Sequence, residues 1–411
     1  MPQPAMRRRI TLALLAPALL LLAACGSDEA AQRSLFSASP TVEPASNDER
    51  DRWGYDPMVA TGESDIPVFY QALPTGYIIE AWGTGLTMPT GMDFTPDGRL
   101  LIAEQPGRIR VMVDGRLLPE PFYVQEDDLY YPPETPEQLL EFGVLSVAVD
   151  PEYASNGYVY FVYTADNPRR TILARVTDRD GKGADYTELA SFDAAPPQWH
   201  VGGQMEFAPD GTIFLTVGEH QLTELVQQLD NPFGKILRIN KDGTAPSDNP
   251  FVDVPGADPR IYAYGLRNAN GLSLDPATGR LFTVENGKEG QDAVLEIKAG
   301  ANYGWPGYDE NGPLLEMEPP LKFYHTGIAP ASVEFYSHDR KAPLTGQLLF
   351  CQFKWGGALH AMSFQQDGSV FLDTIVTPGC RNAVVTGPEG FIYLLEYLRG
   401  TIYRIATDER E

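Results

Sequence analysis

The chain has 411 residues, 43% of them hydrophobic, and a formal net charge of −25 at pH 7. This is ample apolar material for one large core. So acidic a balance excludes nucleic acid as a partner, because phosphate recognition needs a clustered basic surface; it suits solubility and an affinity for divalent cations.

Arg7, Arg8 and Arg9 precede an apolar run from Ile10 to Ala24. The run is too short to span a bilayer but has the length of a signal-peptide core. It ends in Leu22-Ala23-Ala24-Cys25, which resembles the lipobox of bacterial lipoproteins. The resemblance implies a signal segment over residues 1–25, with Cys25 lipidated as the first mature residue. The expected location is therefore the periplasmic or extracellular side of a bacterial cell membrane, held by a lipid anchor. Residues 26–65 are rich in Ser, Ala, Asp, Glu and Pro with no apolar period, and read as a flexible tether. Residues 66–411 remain for a single folded domain.

Within that domain a unit recurs. GMDFTPDGRLLIAE, LSVAVDPEYASNGYVYFVYT, GQMEFAPDGTIFLTVGE, GLSLDPATGRLFTVEN and NAVVTGPEGFIYLLEY each give an apolar strand, a turn built on Pro with Asp, Glu or Gly, and a second apolar strand. ASVEFYSHDRKAPLTGQLLFCQF is a looser copy before the last, and a third strand such as RIRVMV, KILRIN or TIYRIA follows each unit. Strand sets at this period predict an all-β, six-bladed β-propeller of four-stranded antiparallel blades around a central channel. The early strand Tyr77–Ala81 has no set of its own and is expected to pair with the last blade and close the ring. One short helix or turn is expected over Thr223–Leu229.

A propeller gathers the loops that feed its innermost strands around the channel, so residues at that phase of different repeats become neighbours. Glu141 precedes the second blade, His200 the third, and Arg267, Asn268 and Asn270 the fourth. Lys354 follows an apolar strand of the fifth, and Arg381 and Asn382 precede the last. Several charges aimed at one cavity call for a polyanionic ligand to compensate them. His200 is one of only five histidines and sits beside Gly202 and Gly203, which let a flat ligand approach the backbone; it is a candidate general base. The loop Glu285–Asp292, ENGKEGQD, offers hard oxygen ligands of the kind calcium prefers, or is a hydrated acidic turn.

RNANG, ENGKEGQD and KAGANYGWP, above all Asn302-Tyr303-Gly304-Trp305-Pro306, resemble the glucose/sorbosone dehydrogenase family, soluble aldose dehydrogenases that use pyrroloquinoline quinone and calcium. The resemblance runs through most of residues 80–405. It implies that His200 takes the hydroxyl proton from C1 of an aldose, giving the lactone, and that an external acceptor takes up the electrons. It further implies that Arg267, Asn268, Asn270, Asn286, Lys354 and Arg381 face the cofactor, that main-chain oxygens of Gly287 and Lys288 hold the calcium, and that Glu141 and Asp292 lie on the substrate side. Four positions depart from the family pattern: Gln204 and Gly379 where arginine is usual, Lys288 in place of proline, and Asn382 in place of aspartate. Two alternatives stay open, a non-catalytic binding or scaffold propeller and a calcium-dependent lactonase. Cys351 and Cys380, expected on adjacent blades near the channel, form either a disulfide or two buried apolar positions.

Overall fold

The computed structural model describes residues 77–407, apart from 132–140, 167, 194–198, 289–290, 310–311, 314–316, 325–326, 339–343 and 355. The expected signal segment and tether lie outside the described residues.

Six small antiparallel sheets form a ring. The second, third, fourth and fifth blades each have four strands, with the innermost at Val144–Val149, Gly202–Phe207, Ala269–Leu274 and Pro330–Tyr336. In the first blade, Pro89–Phe94 leads the sheet, and two short strands, Arg116–Leu117 and Tyr123–Val124, share the outer edge of Arg108–Val113. The last blade, with Ala383–Thr386 innermost, takes its outermost strand from the other end of the domain: Tyr77–Gly83 pairs antiparallel with Thr401–Thr407. The ring therefore closes by ladder hydrogen bonds between chain segments far apart in sequence. Helix is limited to Tyr153–Asn156 and a 3-10 turn at Thr223–Leu225 among the described residues.

The second strand of each blade explains why the units repeat as they do. Leu100–Glu104, Ile213–Val217, Leu281–Glu285 and Ile392–Glu396 are buried along their whole length. A strand covered on both faces reads as a continuous apolar run. Six apolar clusters seal the six joints between neighbouring blades, so the core is a ring of wedges. Leu145, Val162 and Leu173 of the second blade, for example, meet Leu215 and Leu237 of the third. Burial at about 25 cal/mol per Å² of apolar surface is what holds such wedges together. At the joint between the fifth and sixth blades, Cys351 and Cys380 are joined by a disulfide, with Cα atoms 5.0 Å apart.

Polar ties near the channel fix the blades against one another. Thr90 Oγ1 donates to Val144 O at 2.9 Å, Ser146 Oγ to Gly203 O at 2.6 Å, and Asn382 Nδ2 to Thr90 O at 2.9 Å. The innermost strands have no further ladder partner, so these bonds satisfy edge groups that would otherwise face the channel unpaired.

Candidate active site

The loops that enter the innermost strands converge on a cavity of about 470 Å³ to which all six blades contribute. Thr90 comes from the first blade, Glu141 and Leu145 from the second, and His200 and Gln204 from the third. The fourth supplies Arg267, Asn268, Asn270, Asn286, Gly287 and Asp292, the fifth Phe353 and Lys354, and the sixth Asn382. A second chamber of about 570 Å³ shares His200 and Arg267 with the first and adds Glu219, Gln221, Lys288, Gln291 and Trp305. The imidazole and the guanidinium thus stand at the boundary of the two.

His200 is fixed from every side. Its backbone is left-handed, with φ 63°, a conformation that a non-glycine residue keeps only when its surroundings enforce it. The Glu141 carboxylate accepts the His200 main-chain N–H, and His200 O accepts from His220 N at 3.2 Å. Gly218 packs directly beneath, where any Cβ would overlap the His200 carbonyl. On the ring, Nδ1 lies 3.0 Å from Glu219 Oε1 and Nε2 lies 2.8 Å from Arg267 Nη2. Arginine can only donate, so Nε2 is the acceptor and Nδ1 carries the proton given to Glu219. The ring is the neutral Nδ1–H tautomer, with its basic nitrogen on the cavity side.

Glu219 is the residue that the sequence reasoning missed. Its Oε2 accepts from Trp305 Nε1 at 2.5 Å and from Thr223 Oγ1 at 2.9 Å. Burial alone would raise its pKa, but the donors His200, Trp305 and Thr223 outweigh that and hold the carboxylate below its ordinary range. A signal for it was present. The repeats end LLIAE, LTVGE, LFTVE and YLLE; Glu104, Glu285 and Glu396 are the last residues of their strands, whereas Glu219 stands two residues beyond Val217, the equivalent position in the third blade. In the three blades other than the third, the acid accepts a main-chain N–H from a loop at the end of its own sheet. Glu104 accepts Thr87 N at 2.7 Å, Glu285 accepts Arg267 N at 2.5 Å, and Glu396 accepts Arg399 N at 2.5 Å. In the third blade the carboxylate is spent on the histidine.

The other candidates fall into two groups. Arg267 lines the cavity, with Nη1 donating to Asn286 O at 2.7 Å. Asn270, inside its strand and not before it, donates from Nδ2 to Asn268 O at 3.3 Å. Asp292 accepts from Gly287 N at 3.1 Å and Ala329 N at 2.8 Å; burial raises its pKa and these donors pull it partly back. Burial likewise raises Glu141. Arg381, by contrast, is not brought to the cavity wall. It is buried, with Nε 2.5 Å from Glu396 Oε1 and Nη1 2.7 Å from Phe353 O, so its charge is neutralised within its own blade. Lys288 faces the second chamber, and its carbonyl accepts from Gln291 N at 3.2 Å. Two of the departing residues act as ties between blades: Gln204 Nε2 donates to Leu145 O at 3.3 Å, and Asn382 spans from the sixth blade to the first.

Two loose ends on the wall bear on what the cavity holds. The Asn268 side-chain oxygen is buried with no donor, and the Lys354 ammonium makes no hydrogen bond among the described residues, although its charge favours the ionised form of Asp292. A buried unpaired acceptor costs about 1–3 kcal/mol. A bound group with anionic substituents, together with a cation, would relieve both, and the volume suits a flat tricyclic molecule. The Gly287 carbonyl stands in a turn so tight that a Cβ would overlap Gln291 O. Among the described residues no set of three or more His, Cys, Asp or Glu side chains is gathered as a metal site. Oxygen ligands here would be main-chain ones, unlike the converging carboxylates that the lactonase alternative calls for.

Comparison with known proteins identifies the family of the chain. The chain is 31% identical over 340 residues to an uncharacterised protein of Synechocystis, covering 76% of this chain and 82% of that one. It is 27% identical over 350 residues to an aldose sugar dehydrogenase of Escherichia coli, covering 79% and 91%. The solved structure of an oxidoreductase of the glucose dehydrogenase kind from Thermus thermophilus superposes with a TM-score of 0.72 at 30% identity, over 80% of this chain and 100% of that one. The sequence profile of the Glucose / Sorbosone dehydrogenase family matches residues 86–404, and the chain belongs to that family.

Proposed function

We propose that the protein is a quinone-dependent aldose dehydrogenase that oxidises a sugar at C1 to its lactone, with His200 as the general base. The observation that carries this reading is the His200 ring, its Nδ1–H committed to Glu219 and its Nε2 lone pair held at the boundary of two chambers. Family membership supplies the reaction class. The sugar enters the chamber lined by Gln221, Gln291 and Trp305, where its C1 hydroxyl takes the place of the Arg267 N–H at Nε2. His200 accepts the hydroxyl proton as two electrons leave C1 with its hydrogen, and the Glu219 carboxylate stabilises the imidazolium that results. Arg267, still bonded to Asn286 O, keeps a positive charge beside the reacting centre.

The residues that would hold pyrroloquinoline quinone are Arg267, Lys354, Asn268 and Asn270, with the Gly287 and Lys288 main-chain oxygens on a calcium ion. Bound there, the pair would supply a two-electron acceptor polarised by the metal. An external acceptor would take up the electrons. The export signal and the Cys25 lipid anchor belong to the same proposal, which places the active domain on a tether at the outer face of a membrane.

Titration of the tether-trimmed domain with the quinone and calcium, followed by dye reduction over a panel of aldoses, tests the reading. Calcium-dependent binding and sugar-driven reduction that vanish in His200→Ala are expected. Arg381 neutralised by Glu396, and the absence of any side chain at Gly379, favour a second reading: a binding propeller without redox chemistry. No quinone binding at high micromolar concentration would put that reading first.

A further inference from the structure

We infer that Trp305 is a positioning residue for His200: with Thr223, its indole N–H pins one oxygen of Glu219, leaves the other to His200 Nδ1, and so keeps the basic Nε2 lone pair turned to the cavity. The inference rests on the reading of His200 as base, although the tautomer it predicts does not.

The argument is a competition for one carboxylate. Oε1 has two neighbours, His200 Nδ1 at 3.0 Å and Arg267 Nε at 3.8 Å. A guanidinium and a carboxylate bond most strongly as a parallel fork, both oxygens against two N–H groups. Glu219 would be free to turn into that fork if Oε2 were unoccupied. The imidazole would then lose its acceptor, and its proton would no longer be bound to Nδ1. Trp305 Nε1 at 2.5 Å and Thr223 Oγ1 at 2.9 Å hold Oε2 and prevent this turn. Trp305 is itself immobilised: its main-chain N–H donates to Gly265 O at 2.8 Å, its carbonyl accepts from Gln227 Nε2 at 2.7 Å, and its buried ring lies 5.7 Å from the Arg267 guanidinium carbon. Gln227 in turn exchanges two side-chain bonds with Asn302. The run Asn302–Pro306 thus delivers a single indole N–H to the carboxylate behind the base.

The experiment uses the 15N-labelled domain, in which five histidines give few ring signals and His200→Ala identifies the one that matters. Wild type is expected to show Nδ1–H with Nε2 bare. Trp305→Phe keeps a ring and removes the N–H; its His200 signal is expected to move to the Nε2–H form or to an average of both. In the quinone-loaded enzyme kcat should fall about 10-fold or more, with KM for the sugar changed less than about 3-fold, the usual scale for loss of an outer-shell partner. Thr223→Val should move the same signal the same way by less, and it decides the matter if Trp305→Phe fails to fold. A His200 ring that stays wholly Nδ1–H in a folded variant overturns the inference. If no sugar is turned over at all, the proposed function fails while the tautomer measurement still decides this point.

Discussion

Three carboxylates further along the channel make stability depend on pH in a direction opposite to ordinary acid denaturation. Asp93, Glu206 and Glu334 stand on the innermost strands of the first, third and fifth blades around a cavity of about 270 Å³. Each reaches to the next blade: Asp93 accepts Val149 N at 2.7 Å, Glu206 accepts Leu274 N at 3.2 Å, and Glu334 accepts Thr386 N at 3.2 Å and Thr386 Oγ1 at 2.6 Å. Burial pushes Glu334 up to about 7 and Asp93 up to about 6, and both charges add to the burial that lifts Glu206. A carboxyl whose folded pKa exceeds its unfolded value contributes stability that is complete below the unfolded pKa, near 4.5 for Glu334, and is lost as pH rises through about 7. At about 1.4 kcal/mol per pH unit, Glu334 alone spans ~3 kcal/mol. Water in the channel screens this to roughly 1–2 kcal/mol. The melting temperature of the trimmed domain at constant ionic strength should therefore fall between about pH 5 and pH 8, by roughly 2–4 °C for each kcal/mol. Glu334→Gln keeps an acceptor for Thr386 and removes both its own titration and its contribution to raising Glu206, so its slope should be shallower than that of the wild type. A wild-type melting temperature that is flat or rises across that window, or a variant with the wild-type slope, refutes the reasoning.

Other perturbations have equally definite outcomes. Lys235 is fully buried, and its ammonium donates to Phe233 O at 2.6 Å and Val226 O at 2.8 Å. Lys235→Met leaves those carbonyls unpaired and should lower urea stability by ~2 kcal/mol, whereas an unchanged midpoint would mean that the carbonyls find water. Replacing Cys351 and Cys380 together by alanine opens a loop of sequence separation 29 and should cost about 3–4 kcal/mol of denaturant stability; alkylation of the unreduced, unfolded protein should find no free thiol on this pair. Burial favours the neutral form of Asp373, but bonds from His360, Lys322 and Tyr324 outweigh it and bring the carboxyl down to about 2. Its contribution is present above about pH 4 and lost as pH falls towards 2, so Asp373→Asn should lose ~2 kcal/mol at pH 7 and converge with wild type in acid unfolding below about pH 2. Glu219→Gln should cut kcat by about 10²-fold or more while quinone binding, measured by titration, persists.

What could be read from the sequence was whatever repeats. Blade number follows from the return of an apolar strand, a Pro-Asp or Pro-Glu turn and a second strand, because each unit must bury both faces of its second strand against similar neighbours. The closure by Tyr77–Gly83 follows from a strand with no set of its own. Residues at one phase were brought to one cavity, as for Glu141, His200, Arg267, Asn268, Lys354 and Asn382. Partner choice was less legible, because it depends on side-chain direction at the ends of strands. Arg381 occupies the right phase, yet Glu396, at the end of the strand paired with Ala383–Thr386, lies nearer than the cavity and takes its charge. Glu219 lies two residues past that phase, beyond the end of Ile213–Val217, and there the residue at the loop is a histidine and a tryptophan arrives from the fourth blade. An acid near the end of the second strand therefore braces a backbone in three blades, pairs with an arginine in two of these and orients a base in a fourth. The acid is visible at these strand ends, two residues later in the third blade; what distinguishes its roles is the donor set opposite each one, and for Glu219 that set crosses a blade joint, with Trp305 arriving from the fourth blade.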